Sequence, residues 1–277
     1  MISIRPTFFL AAVLLTFSCT KKTPEPVATS KTVAEHLAEL SRVTSGPINV
    51  AFSSTSDLPK LPGVAPPSGV PSKVLTGGRL LLGRRDGLRQ EVMGVFQIQS
   101  HQPSVGLTNL EMKVIANLET FWVEQSMQPG GARQVMKFSW SGIESAPALS
   151  QQVRALNPMD QIRQFSDEAL FEKVVSENGT DLLRARIDAD AFSRSTGQPL
   201  PPGIPSLLLE LNLDAETSLP HTFSVGTDSG MFIIMSFSDI RAIPVENALQ
   251  EYFQYSPPAD VPVMEMDKLV GANDPRR

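Results

Sequence analysis

The sequence has few of the residues that build metal sites and disulfides. Its 277 residues include one cysteine and three histidines. A single cysteine cannot form an intramolecular disulfide or a zinc site with several thiolate ligands. His36, His101 and His221 are scattered along the chain and show no His-x-x-x-His spacing. We therefore expect no metal and no cofactor.

An excess of basic residues is also missing. The chain has 24 Lys and Arg against 29 Asp and Glu, a formal net charge of −5, so a nucleic-acid partner is not expected. Neither a Gly-x-Ser-x-Gly nucleophile motif nor a phosphate-binding loop is present. Gly77-Gly78 lacks the following Lys-Ser/Thr and is interpreted as a turn. We expect a protein that is not an enzyme, and a hydrolase is the weakest of the alternatives.

The N-terminus has only a short apolar run. Phe8 to Leu15 follows the charged Arg5, and it is shorter than the roughly 20 residues that span a bilayer. A charged start, a short apolar run and a small residue before the cut are typical of a secretory signal peptide. We predict that residues 1–18 are a signal peptide.

The only cysteine stands directly after this run. Ser18-Cys19 resembles a bacterial lipobox, in which the cysteine is acylated and becomes the new N-terminus. Thr16 departs from the usual Leu, and an ordinary signal peptide with an incidental cysteine is the alternative. Residues 19–31 are then the lipidated cysteine and a flexible tether. Because no Asp follows Cys19, the resemblance implies an outer-membrane lipoprotein that faces the periplasm.

The mature chain begins with a helix and continues with alternating strands. Thr32 and Glu35 have capping-box spacing and predict a helix from Thr32 to Arg42. Alternation of apolar and polar residues predicts strands after it. The predicted strands include residues 48–52, 89–98, 110–119, 136–140, 183–187, 207–213, 221–225, 231–237 and 249–255.

Helices are predicted in the middle of the chain. They begin near Pro147, at Asn157-Pro158 and at Ser166, and the last one ends at Asn178-Gly179. About ten strands with few helices predict a mainly β fold, a large curved antiparallel sheet covered by the N-terminal helix and an inserted helical lid. We predict a single domain over residues 32–268, a long loop from Pro59 to Pro71, and a flexible tail over residues 269–277.

Three segments carry a family resemblance. Leu211 to Pro220, Phe237 to Ile240 and Phe253 to Val261 resemble the LolA/LolB-type lipoprotein-carrier superfamily, including LppX-like lipoproteins. Ser218 stands where a Gly is common in that family. The resemblance implies a half-open β-barrel that holds acyl chains of lipids or lipoproteins in an apolar hollow without changing them chemically.

Apolar strand faces would line such a hollow. The candidate ligand-binding residues are Phe96, Met112, Val114, Phe138, Trp140, Leu209, Leu211 and Ile233. The ten methionines suit an irregular apolar ligand, but they suit a filled irregular core as well.

One dense basic patch accompanies these strands. It consists of Arg79, Arg84, Arg85 and Arg89. These residues either form a solvated hairpin or contact anionic lipid headgroups.

Two functions of different classes follow. The first is a non-enzymatic, membrane-anchored lipoprotein, monomeric, that binds an acyl chain of a lipid or lipoprotein. The alternative is a structural or scaffold lipoprotein of the cell envelope with the same fold and no bound ligand.

The lipobox interpretation can be tested by metabolic labelling. We expect labelled palmitate to enter the wild-type protein and not a Cys19→Ala variant, because only this thiol is available for acylation. Label that stayed in the variant, or that never entered the wild type, would contradict lipidation at Cys19.

Overall fold

A computed structural model describes residues 31–57, 72–102, 106–127, 131–196, 204–243 and 247–267. The predicted signal peptide, Cys19, nearly all of the tether, the loop at 59–71 and the tail at 269–277 lie outside the described residues. Those interpretations stay predictions.

The described residues form five α-helices, one 3₁₀ helix and twelve strands. The helices are α1 (Val33–Thr44), α2 (Trp140–Ser145), α3 (Pro147–Ala155), α4 (Pro158–Glu168) and α5 (Ala189–Thr196), and the 3₁₀ helix is Asn247–Phe253. The strands are β1 (Ile48–Asp57), β2 (Lys73–Asp86), β3 (Arg89–Gln102), β4 (Gly106–Ala116), β5 (Thr120–Ser126), β6 (Arg133–Ser139), β7 (Glu172–Glu177), β8 (Thr180–Asp188), β9 (Ser206–Asp214), β10 (Pro220–Thr227), β11 (Gly230–Ala242) and β12 (Val263–Glu265).

All twelve strands belong to one sheet, in the order β12-β6-β5-β4-β3-β2-β1-β11-β10-β9-β8-β7. Neighbours are antiparallel, except that β12 runs parallel to β6. The two edge strands do not pair with each other, so the sheet is curved but open. This confirms the predicted fold class, a mainly β protein built on a large half-open sheet.

Alternation along the strands gives the sheet an apolar inner face. In β9, Leu209 and Leu211 are fully buried, and Glu210 between them is more exposed. Cross-strand partners point to the same face. Leu209 pairs with Ala185 on one side and Val225 on the other, and both are buried. The inner face is therefore continuous from strand to strand.

The helices cover this inner face. The capping box that starts α1 is present: the Glu35 N–H donates to the Thr32 hydroxyl at 3.3 Å, and the Thr32 N–H donates to the Glu35 carboxylate at 2.7 Å. Leu40 of α1 and Phe165 of α4 are buried in the same cluster as the strand residues. The Phe165 ring centre lies 5.7 Å from that of Phe223 on β10. The predicted helical cover is thus in place.

The prediction of a helix from Ser166 to Asn178 is wrong. Ser166 lies in the last turn of α4, and β7 follows as a strand that pairs with β8. Asn178 (φ 53°) and Gly179 (φ 77°) form the turn between them. Asn-Gly with two positive φ angles is the preferred two-residue hairpin turn. The pair therefore joins two strands and does not end a helix.

The prediction of a strand from Leu249 to Tyr255 is also wrong. Most of this segment belongs to the 3₁₀ helix Asn247–Phe253. We call residues 247–267, which include this helix, the strap. Phe253 is only 2% exposed and packs on Gly83, where an added Cβ would lie 2.7 Å from the ring. Tyr255 lies 5.3 Å from Trp122, between ring centres, and donates to Glu124 at 2.8 Å. The strap thus packs against the outer face of the sheet.

Gly77-Gly78 does not form the expected turn. Both glycines lie inside β2, and Gly78 pairs with Phe96 of β3. A Cβ at Gly78 would lie 3.3 Å from the Phe96 ring, and one at Gly94 would lie 2.6 Å from it. Gly78 and Gly94 therefore make room for the Phe96 ring, which lies over the sheet.

Two strand ends differ from the prediction. The strand expected over residues 110–119 ends at Ala116, because the Asn117 side chain accepts the Glu119 and Thr120 N–H groups at 2.8 Å each and forms a turn. Trp140, expected on a strand, is the first residue of α2. The preceding Ser139 caps that helix by accepting the Gly142 N–H at 3.0 Å.

The packing of the strap predicts a clear difference between two neighbouring aromatic residues. Phe253→Ala should lower the free energy of unfolding by about 3–5 kcal/mol, since it empties a buried site. Tyr252, which is 54% exposed, is the matched control. Tyr252→Ala should change the free energy of unfolding by less than about 0.5 kcal/mol. Urea denaturation measures both. Equal effects would show that the strap does not pack as described.

Candidate functional site

The predicted lining residues belong to one apolar cluster on the inner face. Those that are buried, with at most 8% exposure, are Phe96, Val114, Phe138, Trp140, Leu209 and Leu211. Met112 and Ile233 are half-buried and pack against the same cluster. Trp140 reaches it from α2 and not from a strand. The structure therefore brings the eight residues together, and ligand binding by them stays a prediction.

One end of the inner face is filled. There the ring centres of Phe121 and Trp140 lie 5.6 Å apart, and the Trp140 indole N–H donates to the Asn117 carbonyl at 2.7 Å. A cavity of about 20 Å³ remains between these rings, Leu82 and Val92. Such a volume holds about one water molecule. We call this the helix-covered end.

The other end of the inner face is only partly covered. Large apolar side chains there are half-buried and pack against the core: Phe52, Ile98, Met112, Met136 and Ile233, which we call the open-end band. Met112 lies four residues from Ala116 on β4, about 13 Å along the strand from the helix-covered end. The Phe52 ring centre is 6.0 Å from that of Phe96, which joins the band to the core.

The sequence-based lining set omitted three members of this band. Ile98 alternates with polar neighbours, and Phe52 and Met136 each stand two residues from another apolar residue, Val50 and Phe138, so the period of two was an available signal. What the sequence could not show is which end of the face the helices leave uncovered, since that depends on tertiary packing.

A buried polar cluster joins α1 to the far side of the sheet. His36 of α1, Asp181 of β8 and Ser218 of the β9–β10 turn are all fully buried. His36 Nε2 lies 2.7 Å from Asp181 Oδ2, and His36 Nδ1 lies 2.9 Å from Ser218 Oγ. Ser218 adopts φ 61°, a left-handed conformation that favours glycine. Here the serine adds a hydroxyl that a glycine would lack.

Two lysines complete the cluster. Lys173 of β7 donates to Asp181 at 2.6 Å and to the Lys31 carbonyl at 3.2 Å, and Lys31 donates to the Ser218 hydroxyl at 3.0 Å. An ionised Asp181 only accepts, so His36 Nε2 carries the hydrogen towards it, and Ser218 can donate to Nδ1. Every hydrogen bond in this chain of groups then has one donor and one acceptor.

The environment of Asp181 lowers the pKa of its carboxyl. Burial raises the pKa, but hydrogen bonds from Lys173, Ser176 and His36, together with the charge of Lys173, outweigh that effect. The carboxylate is therefore ionised at neutral pH. It supplies the negative charge that keeps the partly buried lysine compensated.

Ser, His and Asp are the residue types of a catalytic triad, and the sequence nominated none of them. Their fully buried side chains leave no path for a substrate to Ser218. Their geometry instead fixes α1 against β8 and the β9–β10 turn. We interpret the cluster as structural.

The four arginines of the predicted headgroup patch are each ion-paired. Arg84 pairs with Glu91 at 2.6 Å and Arg85 with Asp160 at 2.6 Å. The other two pairs are longer: Arg89 and Glu144 at 3.0 Å, Arg79 and Asp239 at 3.4 Å. Contact with lipid headgroups stays a prediction.

The described residues show neither a group of metal ligands nor a membrane-spanning helix. No three His, Cys, Asp or Glu side chains among them are arranged to hold a metal ion. No helix in these parts of the chain is both long and apolar enough to cross a bilayer.

The buried cluster predicts a pH-dependent stability. Asp181→Asn should lower the free energy of unfolding by about 3–5 kcal/mol, because Lys173 loses its buried counter-charge. The folded-state pKa of Asp181 lies below the unfolded one, so its contribution is complete above about pH 4 and lost as the pH falls further. Urea unfolding between acidic and neutral pH should therefore show a smaller acid loss in Asp181→Asn than in the wild type.

The control for that experiment is Asp260→Asn. Asp260 is exposed and forms part of the strap, and we expect its replacement to leave stability and its acid loss unchanged. An Asp181→Asn protein with the wild-type pH profile would contradict a role for Asp181 in the acid loss.

Comparisons with known proteins show no family. No family model and no curated protein matches the sequence. The chain is similar to an uncharacterized conserved protein from Thermus thermophilus, at 11% identity over 85% of this chain and 99% of that one, with a TM-score of 0.36. It is similar to MucB at 9% identity, over 80% of this chain and 62% of that one, with a TM-score of 0.35. It is also similar to a chain of the MucA/MucB complex of Pseudomonas aeruginosa, at 13% identity over 82% of this chain and 64% of that one, with a TM-score of 0.33.

Proposed function

We propose that this protein is a non-enzymatic lipoprotein of the bacterial cell envelope, anchored in the outer membrane through Cys19, that holds an acyl chain of a lipid or lipoprotein. The observation that carries the proposal is the open-end band. It places half-buried apolar side chains from several strands on one face, continuous with the core. The fold class agrees with what the LolA/LolB resemblance implies.

The energetics favour an apolar ligand at this band. Each Å² of apolar surface removed from water contributes about 25 cal/mol, and each acyl CH₂ group about 0.8 kcal/mol. Met112 and Met136 lie in the band, and flexible thioether side chains adapt to irregular apolar surfaces. A long acyl chain that is buried on the band would gain several kcal/mol in this way.

In this proposal, only two arginines of the basic patch, Arg79 and Arg89, bind lipid headgroups. The Arg79–Asp239 and Arg89–Glu144 pairs are largely exposed, and such pairs contribute little, so these arginines can exchange a carboxylate for a headgroup phosphate. Arg84 and Arg85 pair with Glu91 and Asp160, whose side chains are 6% and 8% exposed. Leaving those carboxylates unpaired would be costly.

A second candidate function is a structural envelope lipoprotein with a filled core. It is favoured by the helix-covered end, because six of the eight predicted lining residues are buried and the cavity beside Trp140 has the volume of about one water molecule. Native mass spectrometry of a soluble form that begins after Cys19 separates the two candidates. A co-purified lipid mass supports the carrier, and a bare protein mass supports the scaffold.

The ligand site predicts a difference between the two faces of the sheet. Ile98→Gln in the open-end band should weaken binding of a fluorescent fatty acid by about tenfold, since it removes apolar contact area. Ile234 on the outer face is 42% exposed, and Ile234→Gln is the matched control, for which we expect no change. Fluorescence titration measures both affinities.

Circular dichroism and urea midpoints should show that both variants are folded. Equal affinities of the two variants, or no binding by the wild type, would contradict the proposed site.

A further inference from the structure

Strand β7 is a free edge of the sheet. The opposite edge is formed by β12, the end of the strap, which covers β6. β7 pairs only with β8 among the described residues, and all of its residues except Lys173 are exposed. Its outer backbone N–H and C=O groups can therefore pair with another extended chain.

Exposed apolar side chains are concentrated beside this edge. Leu170 is 92% exposed, Val174 45% and Val175 38%. These three fall within six consecutive residues, whereas the other six exposed large apolar side chains of the described residues are spread over the rest of the chain. Such clustering on an unpaired edge indicates an interaction surface.

A β-bulge sets the pattern of side chains on the outer face of β7. Glu172 pairs with Arg184, Val175 with Leu182 and Glu177 with Thr180, and the register shifts between Lys173 and Val175. The partners on β8 are spaced by two residues and so share a face. The bulge thus brings Glu172, Val175 and Glu177 to the same face, in the order acidic, apolar, acidic.

The two glutamates are available to a partner. Neither Glu172 nor Glu177 has an ion pair within the part of the chain that the structure describes, and Arg184, the neighbour of Glu172, donates instead to Glu210 at 2.9 Å. A strand laid beside β7 would place side chains directly opposite theirs. Positive charges at those places are favoured and negative charges are disfavoured.

We propose that β7 binds an extended segment of a partner protein, which adds to the sheet as a further strand. The segment carries an aliphatic residue between two basic residues, in the pattern Lys/Arg-x-aliphatic-x-Lys/Arg, because an unbulged strand repeats a face every two residues. Backbone pairing supplies affinity, and the two glutamates with Val175 supply selectivity. This surface is separate from the proposed acyl site, which lies on the inner face.

A second copy of the chain fits the edge less well than such a peptide. The outer face of β7 reads acidic, apolar, acidic in both directions. Two copies that paired their Val175 side chains would bring glutamates of both copies together, and like charges on facing strands are destabilising.

A charge-exchange experiment tests the proposal. The probe is a fluorescein-labelled Thr-Lys-Thr-Val-Thr-Lys-Thr peptide, and the control peptide has Glu at both Lys positions. We expect the wild-type protein to bind the basic peptide at least about tenfold more tightly than the acidic one, and Glu172→Lys/Glu177→Lys to reverse this preference. Fluorescence anisotropy measures the affinities. Ile234→Lys, on the outer face of the same sheet, should keep the wild-type preference.

Hydrogen exchange locates the complex. Binding of the basic peptide should protect amides of β7 more than those of any other strand. Binding that ignores the charge reversal, protection confined to other strands, or no binding of either peptide would overturn the proposal. A concentration-dependent dimer in analytical ultracentrifugation that the double variant abolishes would also overturn it, in favour of a second copy.

Discussion

The structure depends on one constraint: an open twelve-stranded sheet has to keep its apolar inner face from water. A closed barrel would bury that face by itself, but here β12 and β7 remain apart as edges. The helices between β6 and β7 cover the inner face instead, together with Leu40 of α1. On the other side of the sheet, the strap buries Phe253. The chain therefore covers part of each face with segments that lie outside the strands.

The buried polar cluster follows from the same constraint. A cover helix that is held by apolar contacts alone can slide, because the hydrophobic effect is non-directional. The His36–Asp181 contact at 2.7 Å and the Ser218 contact at 2.9 Å fix the position of α1. Burying these groups costs desolvation energy, which their hydrogen bonds and the charge of Lys173 offset. The lysines at 31 and 173 add further bonds, and Asp181 Oδ1 is the buried side-chain atom of the cluster that has no hydrogen-bond partner among the described residues.

The sequence was informative where local patterns determine structure. The capping box predicts the start of α1, and the alternating leucines predict β9 and its inner face. It was misleading where one local signal has two meanings. Asn178-Gly179 suits a helix end as well as a hairpin, and Gly77-Gly78 suits a turn as well as the interior of a strand.

Long-range contacts could not be predicted at all. His36 and Asp181 are 145 residues apart in sequence, and nothing in either neighbourhood indicates the other. The arginine patch illustrates the same limit, because Arg85 and its ion-pair partner Asp160 are 75 residues apart in sequence. The four arginines were therefore predictable from the sequence, whereas their partners and the buried polar cluster were not.

The two ends of the inner face differ in what a ligand would have to displace. At the helix-covered end, an acyl chain would have to move large buried side chains such as Trp140 and Ile143. Removing the packing of one such side chain costs about 3–5 kcal/mol, which cancels the gain from several CH₂ groups. At the open-end band, Met112 and Ile233 are only half-buried, so contact with a ligand adds burial and disrupts no existing packing. The proposed acyl ligand would therefore lie on the open-end band, with the helix-covered end as the packed core beside it.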